Sequence, residues 1–255
     1  MFGLWRVGLG NAWREVLRGV AVAGLTAAAL FLLPPFSASA QSPFFAGDGR
    51  EGGRFRSEIS TFFTPSETAY AEVGWTWTPD WNFEADGWRF RLASAAGIFR
   101  DRNLSQLALF IPTYFYEISA GYRQRFGNWT TTSSIGLLGV EEAGFQPFSR
   151  FGVRLTEQIV WSDSADYYAG LFLRYESVRD AFVAVANLGF LTPLAFKIGP
   201  ELGFNLSTAG TGYRYGLAIT GIAFFGAELG LSAGIGQRER GRPDAYVTAY
   251  FYRLF

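Results

Sequence analysis

The chain has 255 residues, with 22 basic and 22 acidic side chains and neither Cys nor His. Balanced charge argues against nucleic acid as a partner, and without Cys there can be no disulfide, thiol nucleophile or Cys-based metal site. Without His there is no Ser-His or Cys-His nucleophile pair, nor the commonest general base and metal ligand. The expectation is therefore a protein without catalytic residues, cofactor or metal.

Residues 1–40 have the pattern of a cleavable secretory signal. Arg6, Arg14 and Arg18 supply a positive start, and Gly19 to Leu33 form an uncharged apolar stretch. Ala38-Ser39-Ala40 then offers a small-x-small cleavage site that leaves Gln41 first. The stretch falls short of the roughly 20 apolar residues of a membrane-spanning helix, and Pro34-Pro35 follows it. Three arginines and Glu15 leave with the signal, so the remainder carries 19 basic and 21 acidic side chains, a net of −2. Residues 41–52 read as a glycine-rich lead into a single domain over 41–255.

Beyond Gln41 the chain alternates. Val73, Trp75 and Trp77 share one face, with Glu72, Gly74 and Thr76 on the other. Ile198, Leu202, Phe204 and Leu206 oppose Lys197, Gly199, Glu201, Gly203 and Asn205, and Leu229, Leu231, Ala233 and Ile235 oppose Glu228, Gly230, Ser232 and Gly234. Period-two segments of about ten residues, rich in glycine (31 residues) and aromatics (18%), are the pattern of a transmembrane barrel. The fold expected is all-β, an antiparallel transmembrane β-barrel of 12 strands, with 10 as the alternative. The strands are placed near 53–64, 67–78, 86–100, 111–125, 128–140, 149–162, 165–178, 181–191, 194–207, 212–224, 227–239 and 244–255. Turns are expected at Gly127-Asn128, Ser162-Asp163-Ser164, Thr192-Pro193, Gly210-Thr211-Gly212 and Gly241 to Asp244. Glu141-Glu142 should sit on a loop rim. Connections after odd-numbered strands are short, which argues against a general porin with a long constricting loop.

The last segment puts Val247, Ala249, Phe251 and the terminal Phe255 on one face. Such an ending is similar to the signal read by the barrel assembly machinery of Gram-negative bacteria, so outer-membrane lipid and that machinery are the expected partners.

If the apolar faces meet lipid, the opposite faces share one lumen. They deliver Arg54, Arg56, Glu58, Glu72, Arg89, Arg91, Glu117, Arg123, Arg154, Arg174, Glu176, Lys197, Glu201, Arg214 and Glu228. Two readings stay open: cross-strand ion pairs that fill the barrel, or a charged wall that contacts a solute. Glu157 falls on the outward face, which suggests a bulge or a shifted register there. Tyr70, Phe99, Phe115, Tyr168, Phe172 and Tyr250 point inward with Tyr246 and Tyr252, and such rings can stack on sugars or simply fill space.

Three stretches resemble a known family. Gly87-Trp88-Arg89-Phe90-Arg91 with Gly97, Ile198-Gly199-Pro200-Glu201 with Gly203, and Glu228-Leu229-Gly230-Leu231-Ser232-Ala233-Gly234 are similar to the BcsS family of bacterial cellulose-biosynthesis proteins. The resemblance implies an outer-membrane accessory to cellulose (exopolysaccharide) production and export. Cellulose or components of the cellulose-synthase complex would then be partners. It carries over no catalytic residue. A closed structural or adhesive barrel and a small-solute porin remain as alternatives.

Overall fold

The computed structural model describes residues 55–254, apart from 65–67, 81, 84, 102–108, 144–147, 165, 209, 226 and 239–242. The signal segment, Arg54 and Phe255 lie outside the described residues.

Twelve strands follow one another around a closed antiparallel barrel. They are β1 (Phe55–Thr64), β2 (Thr68–Trp77), β3 (Gly87–Asp101), β4 (Leu109–Phe126), β5 (Trp129–Glu142) and β6 (Phe148–Ser164). The second half comprises β7 (Tyr167–Glu176), β8 (Ala181–Leu191), β9 (Lys197–Ser207), β10 (Gly210–Phe224), β11 (Ala227–Arg238) and β12 (Asp244–Leu254). Each pairs with its sequence neighbours, and β1 closes the sheet on β12 from Arg56↔Leu254 to Phe63↔Val247. Closure leaves no free edge, so strand backbone groups can pair in a solvent that offers no water. Among the described residues no helix is long and apolar enough to cross a membrane.

The period-two pattern sorts the side chains. Leu92, Ile118, Leu137, Leu202 and Leu217 project from the outer face, each more than half exposed. The described tryptophans Trp75, Trp77, Trp88, Trp129 and Trp161 gather at the end that carries both chain ends, here termed the near end. There Trp77 lies 5.4 Å from Phe90, Trp88 5.4 Å from Tyr122 and Trp129 6.3 Å from Trp161, centroid to centroid. An apolar band edged by such rings matches the hydrocarbon core and one headgroup layer of a bilayer. The two-residue turn Gly127-Asn128 has glycine at φ 58°, as a type II′ hairpin requires at its first position.

Three expected details need correction. Ser162 to Ser164 belong to β6 rather than to a turn; the register shifts between Trp161 and Ser164, which absorbs the polar residues as an irregularity within the strand. Gly210 to Gly212 pair with Ser207 to Asn205, so they open β10, and the turn is shorter than the glycines suggested. At Glu157 the register runs without a break, opposite Ser133 on one side and Leu173 on the other. Its carboxylate lies on the outer face beside the Ser133 hydroxyl position, with no bulge to turn it inward.

Inside, glycines make room for tyrosines. A Cβ on Gly230 would stand 1.9 Å from the Tyr250 ring, and one on Gly189 would stand 2.1 Å from the Tyr168 ring. Glycine on β8 and β11 is thus what lets rings from β7 and β12 lie flat against the wall. Gly230→Val should displace Tyr250 at a cost of about 1–3 kcal/mol. Urea unfolding of the refolded barrel, read by heat-modifiable gel migration, checks this.

Candidate lumen site

Within β1 to β7 eight inward charges form one connected network. Arg91 on β3 reaches Glu58 on β1 at 2.6 Å and Glu117 on β4 at 3.0 Å, and also pairs with Glu72 on β2. Glu58 further holds Arg56 at 3.2 Å. Glu117 continues to Arg154 on β6 and accepts a hydrogen bond from the Ser119 hydroxyl at 2.7 Å. Arg154 meets Glu176 on β7 at 2.8 Å, and Arg174 lies 3.1 Å from the same carboxylate. Tyr70 donates to Glu72. No two of Arg56, Arg91, Arg154 and Arg174 share a strand, so the chain of pairs forms only where these strands lie side by side in the sheet.

The other sector is organised by two glutamates. Glu201 on β9 accepts from the Tyr246 hydroxyl at 3.1 Å and from Ser232 at 3.3 Å, with Arg214 at 3.3 Å. Arg214 also faces the rings of Tyr246 and Phe62, at 5.3 Å and 5.7 Å from their centroids. Glu228 on β11 accepts from Tyr252 at 2.7 Å and from the Gly221 amide at 3.1 Å. Lys197 stands over the Tyr168 ring at 5.5 Å.

Among the described residues two connections fold into the lumen, and the sequence pattern signalled neither. At the near end the β2–β3 connection turns Phe83 inward, where it is buried against Tyr252 and Leu254. The Arg89 guanidinium fixes this loop by donating to the carbonyls of Phe83 (2.6 Å), Ala85 (2.5 Å) and Trp88 (2.9 Å) and to the Thr78 hydroxyl (2.9 Å). Arg56 and Arg89 both stack on the Phe83 ring, at 4.8 Å and 5.0 Å. At the far end the β7–β8 turn crosses β6 where Gly152 leaves space; a Cβ there would meet Ser177 and Val178 at 2.5 Å. The turn carries Arg179 over the Phe99 and Phe115 rings, at 4.7 Å and 4.9 Å, and to Glu142 at 2.8 Å. Glu141 and Glu142 are therefore the last residues of β5 rather than a loop rim, and Glu142 anchors the inward turn.

Between these two insertions lies a cavity of about 270 Å³. This is close to the low end of small-ligand pockets, about 300–1,000 Å³. One wall is the ion-pair network, with Arg89 and Arg123 also contributing. A second is hydroxyl- and amide-bearing: Ser119, Thr130, Thr132, Ser134, Thr156 and Gln158. Tyr70, Phe83, Phe172 and Tyr250 supply aromatic surface. The hydroxyl wall was readable in principle, because Thr130 to Ser134 place alternate residues on the inner face. Phe83 and Arg179 were not, since they sit in connections that have no period.

The aromatic candidates therefore separate. Tyr70, Phe172 and Tyr250 line the cavity, whereas Phe99 and Phe115 pack with Leu138, Val140 and Ala95 beneath Arg179. Tyr168 is 2% exposed and packs on Val160. Among the described residues no three acidic side chains come together as a metal-ion site.

A closed twelve-strand antiparallel barrel with a lipid-compatible outer band and a polar, charged interior defines an outer-membrane β-barrel of a Gram-negative bacterium. Solved structures agree on the fold. The COG4313 outer membrane channel from Pseudomonas putida F1 superposes with a TM-score of 0.55 at 10% identity, over 88% of this chain and 100% of that one. The KdgM porin gives 0.51 at 12% identity, over 78% and 99%. The β domain of the Bordetella autotransporter Brka gives 0.51 at 12%, over 81% and 100%. No curated protein matches the chain in sequence.

The profile of the family described as cellulose biosynthesis protein BcsS matches residues 62–255, and the chain belongs to that family. Membership ties the protein to cellulose biosynthesis.

The network makes a stability prediction. Glu117→Ala leaves the buried Arg154 with Glu176 as its remaining carboxylate and takes one of three from Arg91. Removing one partner of a buried pair costs about 3–5 kcal/mol. Because both arginines keep other partners, the loss should fall near about 3 kcal/mol, read as a lower urea midpoint at unchanged slope.

Proposed function

We propose that the protein is an outer-membrane accessory of cellulose biosynthesis and export, whose lumen contacts the glucan rather than serving as a general pore. The observation that supports this best is the cavity wall itself. Hydroxyl and amide groups, carboxylates and aromatic faces surround one space, in a chain of a cellulose-biosynthesis family. A hexose offers the complementary surfaces, namely hydroxyls that donate and accept and an apolar ring face that stacks. Residues 1–40 would direct export and be removed, and 41–255 would form the mature barrel with both termini in the periplasm. Phe255 would present the closing strand to the assembly machinery. No catalytic residue is assigned, and the protein's role is contact and guidance.

A second reading has its own support. Phe83 at one end and Arg179 at the other narrow the lumen, and the ion pairs fill much of what lies between. Those features suit a closed structural or adhesive barrel.

Planar-bilayer recording separates the two. The glucan reading expects small, steady conductance that cello-oligosaccharides block, and a larger conductance in Phe83→Ala, which takes away the near-end ring. Conductance that oligosaccharide leaves untouched would indicate a small-solute porin. A silent barrel that stays silent in Phe83→Ala would support the closed reading.

A further inference from the structure

The cavity between Phe83 and Arg179 belongs to a longer open band on the inner wall. Cross-strand register links Thr132 on β5 to Gln158, Phe172, Val185, Gly203 and finally Arg214 on β10. A second row beside it runs from Ser134 through Thr156, Arg174 and Val183 to Asn205. Every residue of both rows is at least partly exposed. The flanking rows are buried, with Val160, Gly170, Asn187 and Glu201 on one side and Gly136, Arg154 and Glu176 on the other.

The band climbs through the barrel. Registered rows run across the strands, and strands in a closed barrel tilt against its axis by about 35–45°. Thr132 is accordingly the fourth residue of β5 from the near end, whereas Arg214 is the fifth of β10 from the far end. The wall on either side of this course is filled. Phe115, Leu138 and Val140 are buried in the far half of β4 and β5, and Ala218, Thr220 and Tyr252 in the near half of β10 and β12. Arg179 leans over Phe99 and Phe115 on β3 and β4 rather than toward β9 and β10.

The chemistry changes along the band. Thr132, Ser134, Thr156 and Gln158 offer hydroxyls and an amide, and Phe172, Val183 and Val185 then offer apolar surface. Asn205 follows with a second amide. Both cations of the band are paired, Arg174 with Glu176 at 3.1 Å and Arg214 with Glu201 at 3.3 Å. Five strand spacings from β5 to β10 give the band a length of about 24 Å.

We infer that an uncharged, extended glucan lies along this oblique band, from the hydroxyl wall of β5 and β6 past Phe172 to Asn205 on β9. The inference rests on the reading that the lumen contacts glucan, and adds the course of the chain and a second contact region on β8 to β10. A glucan suits it because its ring faces are apolar and its edges carry hydroxyls, so one chain meets both kinds of surface in turn. A ring stacks on Phe172 while hydroxyls bond to Thr132, Gln158 and Asn205.

The chain has no Cys, so single cysteines in the refolded barrel can be treated with a sulfonated methanethiosulfonate and followed by mass. Thr132→Cys and Gln158→Cys probe the start of the band, Val185→Cys and Asn205→Cys its continuation, and Leu138→Cys and Ala218→Cys the filled wall. Band cysteines should react about tenfold or more faster than the filled-wall pair, because a buried thiol reacts only when its surroundings open. Cellohexaose at about ten times its Kd should slow all four band positions about tenfold. Two positions in each part keep the test intact if one variant does not refold.

Protection of Thr132→Cys and Gln158→Cys without protection of Val185→Cys and Asn205→Cys would overturn the inference and leave the glucan-contact reading standing. Equal rates at band and filled-wall cysteines would also overturn it, since the lumen would then have no defined course. Absence of protection at every position would overturn both readings together.

Discussion

A strand in lipid has no water to satisfy its N–H and C=O groups, so every strand must find a partner on both sides. Twelve strands meet that condition here only when β1 pairs with β12. Much else follows from the closure. Alternate side chains are committed to lipid or to a lumen, the outer face must be apolar, and polar residues are driven together inside. The ion-pair network is a product of that sorting, because Arg91 meets glutamates from three other strands whose inward faces share its side of the sheet.

The interior treats its two halves differently. From β1 to β7 long charged side chains pair along the wall, within a strand or between strands at most two apart. From β8 to β12 the inner wall is rich in glycine, and tyrosines lie against it with their hydroxyls on Glu201 and Glu228. Charge in the first half and flat packed rings in the second leave an uneven interior. The cavity consequently lies toward the charged side, faced by the hydroxyl wall of β4 to β6 and reached from the other side by Tyr250.

Two short insertions give this barrel a character that its strand count alone does not. Phe83 and Arg179 come from connections of a few residues, yet each reaches well into the lumen because an arginine or a glycine makes it possible. Arg89 binds the loop carbonyls from below, and Gly152 gives the far turn a place to cross. A long inward loop of the general-porin kind is therefore unnecessary for narrowing the passage. The BcsS family match connects the protein that carries this narrowed lumen with cellulose biosynthesis.

The sequence by itself determined the membrane barrel and the polar face of its alternating strands, while the count of twelve, left open against ten, was decided by the closed sheet. Period-two alternation is local, and a residue such as Glu201 or Arg91 declares its face through its immediate neighbours. Strand limits shifted by only a few residues, and the family resemblance carried by the Gly87 to Arg91 and Glu228 to Gly234 stretches matches the family found. Tertiary structure alone decided which inward residues meet. Arg154 lies 37 residues from Glu117 in sequence, and no spacing rule relates positions on strands whose angle and stagger are set by closure. The inward turns of Phe83 and Arg179 were illegible for a related reason, since a connection has no periodicity and its direction depends on what the barrel wall offers. Glu157 shows the converse: alternation placed it on the outer face, and the unbroken register keeps it there, because a strand paired on both sides cannot rotate one residue without rotating all of them.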